Sequence, residues 1–266
     1  MDLEPGSEVI IPAFTFWIDP AVVVLAGLTP VFVDVELDSL NIDPSLIEPA
    51  ITARTKVILA PHLNGLAMEM DSIMAIAKKH GLRVIEDSAR TCGGRYKEQR
   101  VGSFDIGAFS FGYGKSFYGF GGGMLTSNDS AFIERVRTLQ KEDFHNISTM
   151  ELYKAIIKGS LLKFLNTPII HGTTLFQAAH YVIWSKRKRE LQEHLLQHNI
   201  DAQDESAQDV SQMEQFRQFA VKPYPNAAIL EERLCYVPAH PCLDENDLGY
   251  ISDKIRSFFS PSPTSS

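Results

Sequence analysis

The chain has 266 residues and a formal net charge of −8, from 25 Lys and Arg against 33 Asp and Glu. That acidic balance argues against nucleic acid or an anionic membrane as the main partner, while 44% hydrophobic and 22% charged residues is ordinary for a globular protein that buries a core. Cys92, Cys235 and Cys242 are too few for a disulfide framework and point to a reducing, cytoplasmic compartment; no apolar run is long enough to span a bilayer, and the opening MDLEPGSEVIIP has neither the basic nor the hydrophobic region of a secretion signal.

The predicted elements begin with a strand at 8–12 (EVIIP), after the turn pair Pro5-Gly6. An aromatic-rich loop and a helix follow over 14–25, and Pro30 leads into a β-branched strand at 31–35 (VFVDV). A helix is expected over 41–51, with Asp43 as its cap and Pro44 at its first position. A strand at 56–63 runs into His62-Leu63-Asn64-Gly65. The spacing predicts an amphipathic helix over 70–80 closed by Gly81, then a buried strand at 83–85 ending in Glu86-Asp87. Strands at 106–111 and 124–127 complete this half. Beyond them, helices are expected at 131–140, 150–165, 184–197 and 247–259, with 167–174 irregular and 201–218 polar and weak in structural signal. The basic run 186–189 reads as a solvated helix face, and the SPSPTSS tail, 260–266, as disordered.

Short apolar strands alternating with helices imply a mostly parallel sheet with helices on both faces, an α/β class. Ligands bind at the carboxyl ends of the strands in such sheets, and Asp87, His62 and Ser110 all fall at or just beyond predicted strand ends.

The stretch from Asp105 to Asn128, DIGAFSFGYGKSFYGFGGGMLTSN, places a lone Lys115 among glycines, five positions after Ser110. Such glycine density needs a reason, either positive φ or close approach of the backbone to a ligand. Three readings compete. One is a surface hairpin with a solvated lysine. Another is a phosphate loop, since Gly114-Lys115-Ser116 ends like a Walker A motif; but Phe109 stands where that motif requires its first glycine, and no spacing completes G-x-G-x-x-G. The third is a Schiff-base lysine for pyridoxal phosphate (PLP), with Ser110 as phosphate ligand. Taken alone the stretch favours the hairpin; the rest of the chain reverses that preference.

The motifs EVIIPAFTF, TPVFVDV, HLNG, VIEDSA and SFGYGKS occur in an order and spacing that resembles the DegT/StrS family of PLP-dependent sugar aminotransferases. The resemblance is close from 6 to about 140 and returns weakly at 225–255. It implies the fold type I architecture of aspartate aminotransferase. It also implies a PLP-binding large domain at 1–140, N-terminally incomplete, and a smaller α/β domain at 141–259. By the same resemblance Lys115 carries PLP and shuttles a proton, Asp87 pairs with the protonated pyridine nitrogen, Ser110 donates to the phosphate, and Phe16 covers a pyridine face. His62 stands where relatives carry a histidine near the ring, although a structural histidine fits the position as well. Arg90 replaces the usual glutamine or histidine near the cofactor's phenolic oxygen, where a cation would stabilise the phenolate if it does not point away. The implied function is amino transfer from glutamate to a nucleotide-linked keto sugar, in a homodimer. The sugar and the carbon aminated are not readable.

Family members begin with a further segment, whose helix N-terminus contacts the PLP phosphate. Its absence raises the alternative of a truncated, weakly active or inactive homologue acting only in binding, with Val9 and Ile10 of the first strand left exposed. A related dehydratase is disfavoured because its members carry histidine in place of Lys115. The family's asparagine-containing loop has only Asn146 as a candidate. His194 and His198 lack the glutamate of H-E-x-x-H, and Cys235, His240 and Cys242 supply three soft ligands at most, so no metal is expected.

Overall fold

The computed structural model describes residues 1–112, 115, 117, 121–143, 150, 153, 154, 157, 180–202, 207–238 and 243–260. The expectations for 150–165, 167–174, Asn146, His240, Cys242 and the tail lie wholly or mostly outside them. In chain order the strands are β1 (Glu8–Pro12), β2 (Phe14–Thr15), β3 (Thr29–Val33), β4 (Thr55–Pro61), β5 (Arg83–Asp87), β6 (Arg95–Tyr96), β7 (Gln99–Arg100), β8 (Ile106–Ser110), β9 (Gly123–Ser127), β10 (His180–Trp184), β11 (Gln208–Asp209) and β12 (Leu234–Pro238). The α-helices are α1 (Ile18–Leu25), α2 (Met70–His80), α3 (Ser130–Asp143), α4 (Lys188–Gln197), α5 (Pro225–Arg233) and α6 (Glu245–Phe259).

The chain divides into two compact units, Met1–Ala155 with Ser206–Glu231, and Ile156–Glu205 with Glu232–Ser266. In the first, a six-stranded sheet runs in the order β3-β1-β4-β5-β8-β9. Neighbours from β3 to β8 are parallel and only β9 is antiparallel, the mostly parallel sheet that the alternating pattern implies. Successive side chains point to opposite faces. Ile10, Ile58, Ala60 and Val84 pack against α2 residues Met70, Ile73 and Ala77. Val9, Ile11, Val57 and Leu59 pack on the other face with Val23 of α1. Gly81 closes α2 in the left-handed region at φ 65°, where glycine carries no Cβ penalty.

Several expectations change. The helix expected over 41–51 is a pair of 3-10 turns, Pro44–Leu46 and Glu48–Ala50. Asp43 caps the first, accepting from Ser45 N–H at 2.9 Å, but Pro49 has no N–H to continue an α-helix. The helix expected from 184 starts at Lys188, because Trp184 ends β10. Val9 and Ile10 are not exposed: they are 3% and 0% accessible, because β1 lies between β3 and β4 with a helix on each side. The expected domain boundary at 140 also differs. Residues 206–231 belong with the first unit, where β11 pairs with β2 and Asp34 accepts from the N–H groups of Asn226 and Ala227 at 3.0 and 2.9 Å, capping the start of α5.

In the second unit β10 and β12 pair antiparallel. Leu191 and Leu195 of α4 pack with Cys235, Val237 and the α6 residues Ile251, Ile255 and Phe258. His194 Nε2 lies 3.1 Å from Lys254 O, and His198 Nδ1 lies 2.8 Å from His194 O. Among the described residues no His, Cys, Asp and Glu group is arranged to hold a metal, and no helix is long and apolar enough to cross a membrane.

Candidate active site

Strands β4, β5 and β8 end on one edge of the first unit's sheet. Backbone bonds extend the ladder beyond them: His62 N–H donates to Asp87 O at 3.0 Å and Ser88 N–H to Ala108 O at 2.8 Å. Where Asp87 and Ser110 emerge is therefore fixed by regular structure. The chain then leaves β8 and returns in β9, and the turn is tied by Phe111 N–H to Gly122 O at 2.9 Å and Gly121 N–H to Phe111 O at 3.1 Å. Gly122 has φ 83°, a conformation that accounts for glycine at this point. Lys115 lies in that turn.

On the α1 face of the sheet, a cavity of about 760 Å³ is lined by Phe16, Asp19, Asp87, Ser110 and Lys115, among apolar residues that include Ile85 and Ala108. Four residues singled out from sequence thus meet in one place. Lys115 Nζ lies 5.9 Å from the centroid of the Phe16 ring. Burial, and next the charge of Arg90, lower the Lys115 ammonium below its ordinary range, against the opposing pull of Asp87 and Asp19. Asp87 is half-buried and its Oδ1 accepts from Ala89 N–H at 2.9 Å.

The other two candidates lie elsewhere. Arg90 is not among the lining residues but acts on Lys115 through its charge. His62 is buried away from the cavity with both ring nitrogens engaged. Its Nδ1 accepts from Met68 N–H at 3.1 Å, so Nε2 bears the proton and donates to Glu86 Oε2 at 3.2 Å. Glu86 also accepts from the N–H groups of Gly102 and Phe104, at 2.7 and 2.8 Å. His62 is therefore part of a closed network on the α2 side of β5.

Asp19 is the residue that sequence reasoning passed over. It opens α1, is 4% exposed, accepts from Thr15 Oγ1 at 2.5 Å and lines the cavity beside Asp87, the two carboxyls acting on each other. The available signal was a single carboxylate in the apolar run FWIDPAVVV, four positions after Thr15.

A cavity that holds a nucleophilic amine, a carboxylate and a hydroxyl around an aromatic face is also the region with recognisable relatives. The model of the DegT/DnrJ/EryC1/StrS aminotransferase family matches residues 1–166. The chain belongs to this family. It is 46% identical to a UDP-N-acetyl-3-dehydro-alpha-D-glucosamine 3-aminotransferase of Acidithiobacillus ferrooxidans, over 53% of this chain and 38% of that protein. It is 29% identical to the dTDP-3-amino-3,6-dideoxy-alpha-D-galactopyranose transaminase of Aneurinibacillus thermoaerophilus, over 97% of this chain and 80% of the relative. Among solved structures, Streptomyces venezuelae DesV in complex with a ketimine intermediate is similar at a TM-score of 0.79 and 26% identity, covering 98% of this chain and 80% of the other. The chain spans less than two fifths of the length of several curated relatives it matches: 38%, 37% and 35% in three of them. The family architecture is that of the fold type I aminotransferases, and the mostly parallel sheet of the first unit agrees with it.

Proposed function

We propose that the chain is a PLP-dependent aminotransferase that acts on a nucleotide-linked keto sugar, with glutamate as amino donor. The observation that carries this reading is the grouping of Lys115, Asp87, Ser110 and Phe16 around one cavity. The donor set fits PLP. A lysine whose charged form is disfavoured by burial is suited to meet an aldehyde as an amine. A carboxylate suits a protonated ring nitrogen, a hydroxyl suits a phosphate, and the Phe16 ring supplies a flat apolar wall.

Bound PLP supplies the electron sink that lets a proton leave the α-carbon of the amino donor. The residues of this chain do the rest. Lys115 Nζ, its charged form disfavoured by burial and the Arg90 charge, would hold the cofactor and afterwards carry the proton between carbons. The Asp87 carboxylate keeps the ring nitrogen protonated, and Ser110 Oγ orients the phosphate. The apolar wall of Ile85 and Ala108 limits water around the reacting atoms. The names of the relatives support the sugar substrate, and the resemblance supports a homodimer. Two free cysteines among the described residues, Cys92 and Cys235, support a reducing, cytoplasmic location.

The test is a PLP titration of the whole chain followed by borohydride reduction and peptide mapping. Visible absorbance should appear, the label should be fixed on Lys115, and Lys115→Ala should abolish both. Absorbance surviving in Lys115→Ala would reject the assignment.

A further inference from the structure

The proposed reaction uses one carboxylate, but the cavity holds two. Asp19 comes from the first turn of α1 and Asp87 from the end of β5, and both line the cavity wall, where each acts on the other. Two carboxyl groups that act on each other in so buried a place resist ionising together, so one of them keeps its proton. We propose that Asp19 and Asp87 share one proton, and that Asp19, by donating it, is a positioning residue that fixes Asp87 as the acceptor for the ring nitrogen of PLP. The positioning half rests on the proposed cofactor; the proton sharing does not.

Which partner holds the proton follows from the surroundings. Asp19 is 4% exposed and one of its oxygens is taken up by Thr15 Oγ1 at 2.5 Å, leaving the other for Asp87. Asp87 is half-buried and receives Ala89 N–H at 2.9 Å. The charged groups acting on Asp19 come from separate elements: Asp87 of β5 and Lys115 of the turn after β8. Burial and the Asp87 charge raise the Asp19 carboxyl to about 8, against the Thr15 bond and the Lys115 charge. Near neutral pH Asp19 is therefore the partner that holds the proton. The pair then carries a single negative charge, which a protonated ring nitrogen neutralises.

An acidic residue in a first helical turn also serves the helix dipole, so the test must read the proton itself. A group whose folded-state pKa is raised stabilises the fold at low pH, and that contribution is lost as pH rises through the folded value. In the cofactor-free chain, the infrared carboxylic-acid band should fall as pH rises through about 8, and the unfolding midpoint should fall as pH rises from the ordinary carboxylate range, 3.8, up to about 8 and level off above it. Asp19→Asn should lack that part of the band and that step in stability. Identical pH profiles for the two proteins would overturn proton sharing. The second arm is PLP affinity. Asn can still accept from Thr15 and donate to Asp87, whereas Ala cannot, so Asp19→Asn should bind PLP about ten-fold more tightly than Asp19→Ala. Asp19→Leu replaces the alanine variant if that one misfolds. Equal affinity for the donor-bearing and donor-less variants would overturn the positioning role. If the unmodified chain binds no PLP, the cofactor reading fails together with that role, and the infrared arm still decides whether the pair shares a proton.

Discussion

Glu86 and Asp87 are adjacent acids at the end of β5, and they have opposite surroundings. Glu86 points to the α2 face, is wholly buried, and has its two oxygens taken up by Gly102 N–H, Phe104 N–H and His62 Nε2. Asp87 points to the α1 face, opens on a cavity, and faces another carboxyl and an amine. Strand alternation alone separates them. On the proposed function, their surroundings separate a structural carboxylate from one that serves the chemistry. Glu86 is bonded on both oxygens from its own fold and is closed off from solvent, so it faces no ligand. Asp87 has one backbone donor and a proton-sharing partner, and it keeps capacity facing open space.

The contrast predicts a division of effects. Asp87→Asn should leave folding nearly intact, because the amide oxygen can still accept from Ala89 N–H. It should reduce the rate of the half-reaction with glutamate by about a thousand-fold, equivalent to ~4 kcal/mol of barrier. Stopped-flow spectroscopy of the PLP-loaded protein reads this, and a loss of only a few-fold would place Asp87 with Glu86 as a structural acid.

Glu86→Gln should do the reverse. Gln retains one acceptor oxygen, and its NH₂ group must then confront a donor, either Phe104 N–H or the pair from Gly102 and His62. A lost hydrogen bond to a buried charged group is worth ~1.5–3 kcal/mol, so denaturant unfolding should show a loss of about 2–3 kcal/mol. PLP affinity should change by less than about three-fold. A larger effect on cofactor than on stability would contradict the proposed division between the two faces. Gly102 adds a constraint to the same network. Its φ is 82°, and a Cβ at this position would lie only 2.3 Å from the Phe109 ring, so a larger residue here would displace a donor from Glu86.

How much of this was legible in the sequence depended on whether the signal was local. The bounds of α2 agree with the reading, because apolar periodicity and Gly81 mark both its length and its end. Strands β1 and β5 were equally plain, being apolar runs bounded by turn residues and acids. Lys115, Asp87, Ser110 and Phe16 were found through motif order, and the structure brings them together. The misses required information from elsewhere in the chain. Nothing local says that Trp184 belongs to a strand, since its partner Leu234 lies fifty residues on and a charged run follows directly. His62 follows the last residue of β4, where strand alternation no longer decides the direction of a side chain, and Glu86 claims its ring instead. Asp19 became meaningful only once α1 was seen to set it against Asp87.

The opposite end of β5 extends the contrast to its smallest effect. Asp105, just before β8, accepts from Arg83 Nε at 2.8 Å, from Arg83 NH2 at 2.7 Å and from Val84 N–H at 2.9 Å. Burial raises its pKa, but the Arg83 and Val84 bonds outweigh this and hold the carboxyl below its usual value of 3.8. A lowered carboxyl stabilises the fold above its unfolded pKa and loses that contribution as pH falls through the folded value, the opposite sign to Asp19. Because Arg83 is a third exposed, solvent screens the pair and its worth is about 1 kcal/mol. Asp105→Asn should therefore lower stability by about that amount at neutral pH. The gap to the unmodified chain should close as pH falls below the carboxylate range, and it should narrow with added salt. A gap that widened on acidification would mean that Asp105, like Asp19, is protonated in the fold, and that the two ends of the sheet treat their acids alike.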